Sequence, residues 1–272
     1  RIVLGIVVGA MLALAGACYQ GMFRNPLADP YLLGVSSGAG LGATVVIVAG
    51  GVMGSAGVPV AAFAGGILAA GAAYALGRTV GGGRSEVAII LAGVAGAAFA
   101  NAIQTYLMQT HDDTLRQVYS WTLGRLTTDG WSDLLTVLPY VAVSMLVIAL
   151  YRRTLDVMAV GDVEAASLGI APTRVRLILV CAATLGTAAV VSVSGLIGFV
   201  GLVIPHTVRL LVGPSHRLLL PLSLIVGAAF IVLADVVART VLAPAELPIG
   251  VVTAAIGAPF FLLVLRRSRE VR

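Results

Sequence analysis

The chain contains no lysine, and charged residues of any kind are scarce. Asp, Glu, Lys and Arg make up 11% of the 272 residues, hydrophobic residues make up 59%, and the mean hydropathy is +1.05. A surface so poor in charge cannot face water around a globular fold. The composition therefore excludes a water-soluble domain and indicates a membrane protein.

Motifs that carry catalysis are also missing from the sequence. It has no GxxxxGK[ST] loop to hold nucleotide phosphates, no HExxH pair and no nucleophile elbow. Cys18 and Cys181 lie in separate apolar segments, which indicates small buried side chains and not a disulfide or a metal pair. We therefore predict no catalytic residue, no metal site and no cofactor. The net charge of +5 comes from arginines between apolar segments, so we predict no nucleic-acid partner.

Nine long apolar segments occupy most of the sequence. A bilayer core about 30 Å thick needs roughly 20 apolar helical residues per crossing, and each segment reaches or approaches that length. The alternation typical of strands is missing, so the sequence predicts an all-α polytopic membrane protein in which residues 1–272 form one transmembrane domain. The predicted spans cover residues 2–23, 32–50, 58–77, 86–109, 133–151, 174–194, 197–212, 218–240 and 248–266.

The arginines predict the orientation of these spans. An odd number of crossings places the two ends of the chain on opposite sides of the membrane. With the Arg-rich C-terminal tail in the cytoplasm, 13 of the 17 arginines fall on the cytoplasmic side and 4 fall outside. Positively charged residues favour the cytoplasmic side. We therefore predict a cytoplasmic C-terminus, with Arg1, Arg116, Arg125 and Arg239 on the outer side.

Two connections between the spans are long enough to have structure of their own. Residues 110–132 lie outside in this topology and carry two tryptophans, which is typical of an interfacial helix. Residues 152–173 form the longest cytoplasmic connection. Within it, residues 162–168 predict a short helix that Gly169 and Pro172 bring to an end.

Small residues mark two of the spans. Gly34, Gly38 and Gly42 recur every four residues beside Ser37. Such a stripe predicts close packing of helices in lipid, and lining of a translocation path by the same residues is an additional interpretation. The span at 197–212 is short and contains both glycine and proline, which indicates a broken helix near an interior path.

Asp235 is the only charged residue clearly inside a predicted span, where charge is costly and usually functional. Arg239 lies four residues later on the same helical face, so the two side chains can form an ion pair. One interpretation is a local structural pair, and the other makes Arg239 an outward contact for an acidic partner. The scarcity of intramembrane carboxylates argues against transport driven by protons or sodium ions.

Three strings of residues resemble a known family. They are residues 24–42 (RNPLADPYLLGVSSGAGLG), 195–209 (GLIGFVGLVIPHTVR) and 246–259 (ELPIGVVTAAIGAP). In this order they are similar to the FecCD-type permeases of type II ABC importers, which take up iron–siderophores, haem or vitamin B12. The resemblance runs from Arg1 to about Arg267. It implies a ten-helix subunit of a bacterial inner membrane, in which a further helix precedes Arg1.

The resemblance also implies partners in the lipid bilayer. In that family two permease subunits, identical or different, form the translocation path at their interface. Two ATPases bind on the cytoplasmic side, and a substrate-binding protein docks on the outer side. By this resemblance the segment that couples to the ATPase contains Gly161, Asp162, Glu164, Ala165, Ser167, Leu168 and Gly169.

Two further roles follow from the same resemblance. Arg1 and Arg239 match positions that meet acidic residues of the binding protein. The 81–85 loop falls at the cytoplasmic gate, so the residues expected along the path or gate are Gly34, Ser37, Gly38, Gly82, Gly83, Arg84 and Ser85.

The expected function is ATP-driven import of an iron chelate through this subunit, with ATP hydrolysis supplied by the separate ATPase. A ferric siderophore is the first expectation, and haem and cobalamin are the alternatives. An ion-coupled secondary transporter is the main rival. An intramembrane enzyme would need a nucleophile and base or a metal set, and a structural scaffold would not need a charged cytoplasmic helix.

Overall fold

The computed structural model describes residues 1–50, 56–80, 86–127 and 130–270. All regular elements in these residues are helical, which confirms the predicted all-α class. Two short 3-10 helices occur, Pro30–Leu33 and Asp112–Thr114. The α-helices are α1 (Ile2–Met22), α2 (Val35–Val48), α3 (Gly57–Val80), α4 (Glu86–Thr110), α5 (Leu115–Thr122), α6 (Ser132–Leu150), α7 (Arg152–Met158), α8 (Asp162–Ser167), α9 (Pro172–Ser194), α10 (Val200–Val212), α11 (His216–Thr240) and α12 (Ile249–Glu270).

Each predicted span coincides with an apolar helix, but the helices differ in length. In the part of the chain that the structure describes, 6 helices are long and apolar enough to cross a membrane: α1, α3, α4, α6, α9 and α11. The helices α2 and α10 have only 14 and 13 residues, and the apolar part of α12 is also short. A multi-pass helical bundle is therefore established, and the count of nine crossings stays a prediction.

The core of the bundle forms around α1. Most of α1 and α9 is buried, and α1 packs against α6, α9, α10 and α11. Glycine permits this close approach because a methyl group on Gly9 would collide with the carbonyl oxygen of Gly227 on α11. Likewise, a methyl group on Gly16 would collide with the carbonyl oxygen of Gly201 on α10. Small residues at helix contacts are the usual way to gain packing energy in lipid.

The helices α2 and α10 are short because each begins inside the bundle. Pro30 lies against Gly201, near the start of α10, and Gly201 lies against Gly16 of α1. Gly16 precedes the last residue of α1 by six positions, about 9 Å at 1.5 Å per residue. The chain therefore rises back into the bundle after α1 before α2 starts. At about the same depth α10 starts after Phe199, whose φ of 68° is left-handed.

The connection between α4 and α6 contains the predicted helix, here α5. Trp121 in α5 is buried with Val118 and packs in a cluster with Ala39 and Ala43 of α2. Trp131, by contrast, is exposed. Trp121 therefore anchors α5 to the bundle, and the position of this connection relative to the membrane stays a prediction.

Candidate functional site

The predicted coupling segment folds as two short helices, α7 and α8, between α6 and α9. As the sequence indicated, a helix begins at Asp162 and Gly169 follows its end with a left-handed φ of 79°. The backbone N–H of Ile170 returns to the carbonyl oxygen of Ala165 at 3.0 Å, which closes the helix end. Pro172 does not end α8 but begins α9, where its missing N–H costs nothing.

The side chains of α8 divide into two sets. Ala165 is fully buried against the bundle, and Gly161 is buried beside the Glu164 carboxylate. The other set is exposed and mixes apolar with polar residues: Val163, Glu164, Ser167 and Leu168. The predicted coupling residues are thus brought together, with some of them holding the segment in place and others available for contact.

Asp162 ties α8 to the bundle. Its carboxylate accepts hydrogen bonds from the buried Arg176 of α9 at 3.2 Å, and it lies 3.6 Å from the guanidinium of Arg24 after α1. Because Arg176 and Arg24 belong to different elements, one carboxylate joins α8 to the ends of both α9 and α1. Asp162 therefore serves as an anchor inside the protomer.

A second anchor, which the sequence did not reveal, joins α7 to α11. The backbone N–H of His216 donates to Oδ1 of Asp156 at 2.7 Å, and Nδ1 of the same histidine lies 2.7 Å from that oxygen. The His216 ring is buried, and a methyl group on Gly21 would collide with its Nε2 atom. A helix-capping carboxylate was not recognisable because Asp156 precedes the helix it caps by 60 residues.

The opposite end of the bundle carries the other ionic cluster. The guanidinium of Arg1 donates to Oδ1 of the buried Asp235 at 2.8 Å and to Glu246 at 3.0 Å. Arg239 binds the other oxygen of Asp235 at 3.2 Å, so the ion pair predicted from the i, i+4 spacing is confirmed. Both predicted docking arginines thus meet at one buried carboxylate.

A pocket opens beside this cluster. Its volume is about 590 Å³, and its walls include the two arginines, Trp131 and Leu134. Partial burial opposes the charge of Arg1, but its hydrogen bonds from the guanidinium to Asp235 and Glu246 raise its pKa above the ordinary value. The side chains of Arg1 and Arg239 are both partly exposed, so they present positive charge next to an open pocket.

The residues predicted for the path fall in two groups. Gly34 and Gly38 are buried, and a methyl group on Gly38 would collide with the carbonyl oxygen of Gly65 on α3. This confirms close helix packing as the role of Gly38, whereas Ser37 is half-buried and path lining stays a prediction. The gate residues at 82–85 lie outside the described residues.

The exposed face of α4 is unusual for a helix bounded by lipid. It carries polar and small side chains at helical spacing, which are Ala98, Asn101, Ala102, Thr105 and Gln109. Lipid offers no hydrogen-bond partners for amide groups, so polar residues inside a membrane usually face protein or a water-filled cavity. Reasoning from the sequence did not reveal this polar row on one face of the helix.

Comparison with known proteins identifies the family. The model of the FecCD transport family matches residues 1–267. The chain belongs to this family. It is therefore an ABC transporter permease, and the earlier resemblance is confirmed across almost the whole chain.

The names of individual relatives are consistent with this family. The cobalamin import system permease protein BtuC of Halobacterium salinarum is 46% identical over 272 residues, which cover 100% of this chain and 72% of the relative. The hemin transport system permease protein HmuU of Yersinia pestis is 40% identical, covering 100% of this chain and 81% of the relative. A solved metal-chelate type ABC transporter in an inward-facing conformation matches with a TM-score of 0.88 and 33% identity, covering 98% of this chain and 85% of that one.

Proposed function

We propose that this chain is the permease subunit of an ATP-driven importer and moves a metal chelate into the cytoplasm. The observation that carries the proposal is the folded coupling segment on a chain that matches the permease family throughout. The permease provides the path, and a separate pair of ATPases provides the energy. With the coupling segment on the cytoplasmic side, the C-terminus is cytoplasmic as well.

Contact with the ATPase is assigned to the exposed residues of α8. Val163 and Leu168 are large exposed apolar side chains, and Glu164 lies exposed between them in the sequence. Aliphatic residues beside a charge suit a partner groove that combines an apolar floor with a basic rim. The anchors at Asp162 and Asp156 hold this surface to the bundle, so a push on α8 is passed to the transmembrane helices.

A second permease subunit is assigned to the side of the protomer that includes α4. The exposed amide side chains of Asn101 and Gln109 would be costly against lipid but can be satisfied by water or by a partner subunit. A path with small side chains and few fixed charges also suits a bulky chelate, which must be released as readily as it is admitted.

The binding protein is assigned to the Arg1–Arg239 end. The two arginines are held by Asp235 but keep part of their guanidinium surface exposed. Opposite charges across such a contact speed association and set the orientation of the partner. This assignment favours the docking interpretation of Arg239 while keeping its structural pair with Asp235.

The chelate is proposed from the relatives. The relatives named above import cobalamin and hemin, at 46% and 40% identity. A corrin or porphyrin chelate is therefore favoured over the ferric siderophore expected from the sequence. Both classes are large metal complexes, so the same path geometry serves either, and a direct comparison of substrates must decide.

The deciding experiment is transport into proteoliposomes that contain the full-length permease with its ATPase and binding protein. Cobalamin, haem and a ferric siderophore are compared with ATP, without ATP and with a non-hydrolysable ATP analogue. ATP-dependent uptake of one chelate would establish both the function and the substrate. Uptake driven by a proton or sodium gradient without ATP would overturn the proposal in favour of the secondary transporter.

A further inference from the structure

The helix α11 joins the predicted coupling segment to the ionic cluster at the opposite end of the bundle. Its first residue, His216, binds Asp156 of the coupling segment, and its last turns carry Asp235 and Arg239. With 25 residues it is about 37 Å long at 1.5 Å per residue. One continuous helix thus runs from the end assigned to the ATPase to the end assigned to the binding protein.

The contact at the start of α11 has the form of a clamp. A helix leaves its first backbone N–H groups without partners, and Asp156 satisfies the one at His216 from outside the helix. The same oxygen also accepts the Nδ1 proton of the histidine, because a carboxylate can only accept there. The negative charge further favours the positive end of the helix dipole. Two bonds to one residue fix both the position and the rotation of the first turn.

The tight packing around His216 prevents its ring from moving to compensate for a shift of α7. Its ring is buried and lies against Gly21 at the end of α1, where even a methyl group would collide with it. A shift of Asp156 must therefore either break the clamp or move the start of α11. Ser215 strengthens the joint, since its hydroxyl lies 3.4 Å from Asp156 and caps the N–H of Arg217.

The two anchors of the coupling segment lead to different parts of the bundle. Asp162 connects to α1 and α9, which are mostly buried and surrounded by other helices. Asp156 connects to α11, of whose apolar stretch only 39% is buried inside the protomer. A helix held on fewer sides is freer to shift, so α11 is the better route for movement.

We propose that the Asp156–His216 pair is a positioning pair that transmits movement of the coupling segment along α11 to the Asp235–Arg239 end. Through it, docking of the binding protein and ATP hydrolysis influence each other across the membrane. This inference rests on the proposed function, because it needs both an ATPase and a binding protein. It assigns to Asp156 and His216 a role beyond capping a helix.

The test uses the full-length permease in the reconstituted complex and measures ATPase activity with and without the binding protein. For Asp156→Ala we expect the stimulation by the binding protein to fall by about fivefold or more, the lower range of typical allosteric coupling. Stimulation is expressed relative to the basal ATPase activity of the same variant, and assembly of the complex is checked alongside. Asp156→Asn keeps an acceptor oxygen and should retain more stimulation than Asp156→Ala. Leu218→Ala is the matched control, because it alters an exposed side chain in the same turn and leaves both hydrogen bonds from His216 to Asp156.

A second variant covers the case in which Asp156→Ala does not fold. Asp156→Cys with His216→Cys, in a background of Cys18→Ala and Cys181→Ala, replaces the clamp by a reversible disulfide. We expect stimulation when the pair is oxidised and loss of stimulation after reduction. The pair would be shown only to cap α11 by either of two results. One is a folded Asp156→Ala variant with normal stimulation, and the other is a folded disulfide variant whose stimulation does not change on reduction. If the unaltered complex has no ATP-dependent uptake, the proposed function itself fails, and the inference fails with it.

Discussion

The two ends of the bundle bury opposite members of their pairs of acidic and basic side chains. At the coupling end the bases are buried, with side chains of Arg176 and His216 only 6% and 2% exposed, while their partners Asp162 and Asp156 are 38% and 36% exposed. At the docking end the side chain of Asp235 is only 4% exposed, whereas the side chains of its partners Arg1 and Arg239 are 27% and 41% exposed.

Under the proposed function, this reversal corresponds to two different roles. At the coupling end the carboxylates belong to the peripheral helices α7 and α8, and they tether these helices to bases in the bundle. At the docking end the carboxylate belongs to the bundle helix α11, and it holds two arginines that keep surface available for a partner. Holding α7 and α8 to the bundle needs only contacts within the protomer, whereas binding a separate protein needs charge that remains exposed.

The largest effect is expected from disrupting the predicted coupling helix α8 with Gly169→Pro and Glu164→Arg together. Proline cannot adopt the left-handed φ of 79° at position 169, and the second change reverses an exposed charge. We expect ATP-dependent uptake to fall by about a hundredfold, near the upper end of the range that is typical of coupling between two sites. Uptake by proteoliposomes measures the effect.

Gly169→Asn provides the matched control, since asparagine tolerates the left-handed region. It should retain most of the uptake. Normal uptake by the double variant would show that α8 has no part in coupling and would remove the contrast between the two ends.

A smaller effect is expected on stability when Arg1→Gln and Arg239→Gln are combined. The two changes leave Asp235 buried without its guanidinium partners. We expect a loss of about 2 kcal/mol in unfolding free energy, below the value for fully buried pairs because both arginines are partly in solvent. Thermal unfolding in detergent measures the loss.

Asp235→Asn added to this double variant should recover part of the lost stability, because it removes the unpaired charge. If the double variant unfolds at the same temperature as the unaltered protein, Asp235 does not depend on its arginines, and the docking end is not organised around a buried acid.

Arg239→Gln alone should weaken docking of the binding protein by about tenfold, mainly through slower association, because an exposed charge steers an acidic partner. Surface binding to the reconstituted permease measures the rate, and basal ATPase activity should not change. Arg125→Gln is the control, since Arg125 is also exposed and is predicted on the same side. An equal loss for both variants would indicate general attraction by positive charge and not a contact at Arg239.

The smallest effect is expected for Glu246→Gln. Glu246 is 47% exposed, and its two carboxylate oxygens accept hydrogen bonds from a single nitrogen of Arg1, Nη1, at the rim of the cluster. Exposed ion pairs contribute little, so unfolding in detergent should change by less than about 0.5 kcal/mol. A loss as large as that of the double arginine variant would place the centre of the cluster at Glu246 instead of Asp235.

Several features followed from local sequence patterns alone. The apolar segments located the helices, the stop at Gly169 located the end of α8, and the i, i+4 spacing located the Asp235–Arg239 pair. The three quoted strings also identified the family that the comparisons established. These predictions succeeded because helix length, helix ends and neighbours on one helical face depend on residues a few positions apart.

The tertiary structure decided the rest, since it depends on which distant residues meet. Asp235 pairs with Arg1 across 234 positions, and Asp156 caps a helix 60 positions away. The span containing α2 was predicted to be longer than the helix, because only packing of Pro30 against Gly201 shows that the chain re-enters the bundle first. Apolar helices have similar sequences whether they face lipid or protein, so hydropathy determined that this chain crosses a membrane. Contacts between distant side chains determined how its two ends are built and joined.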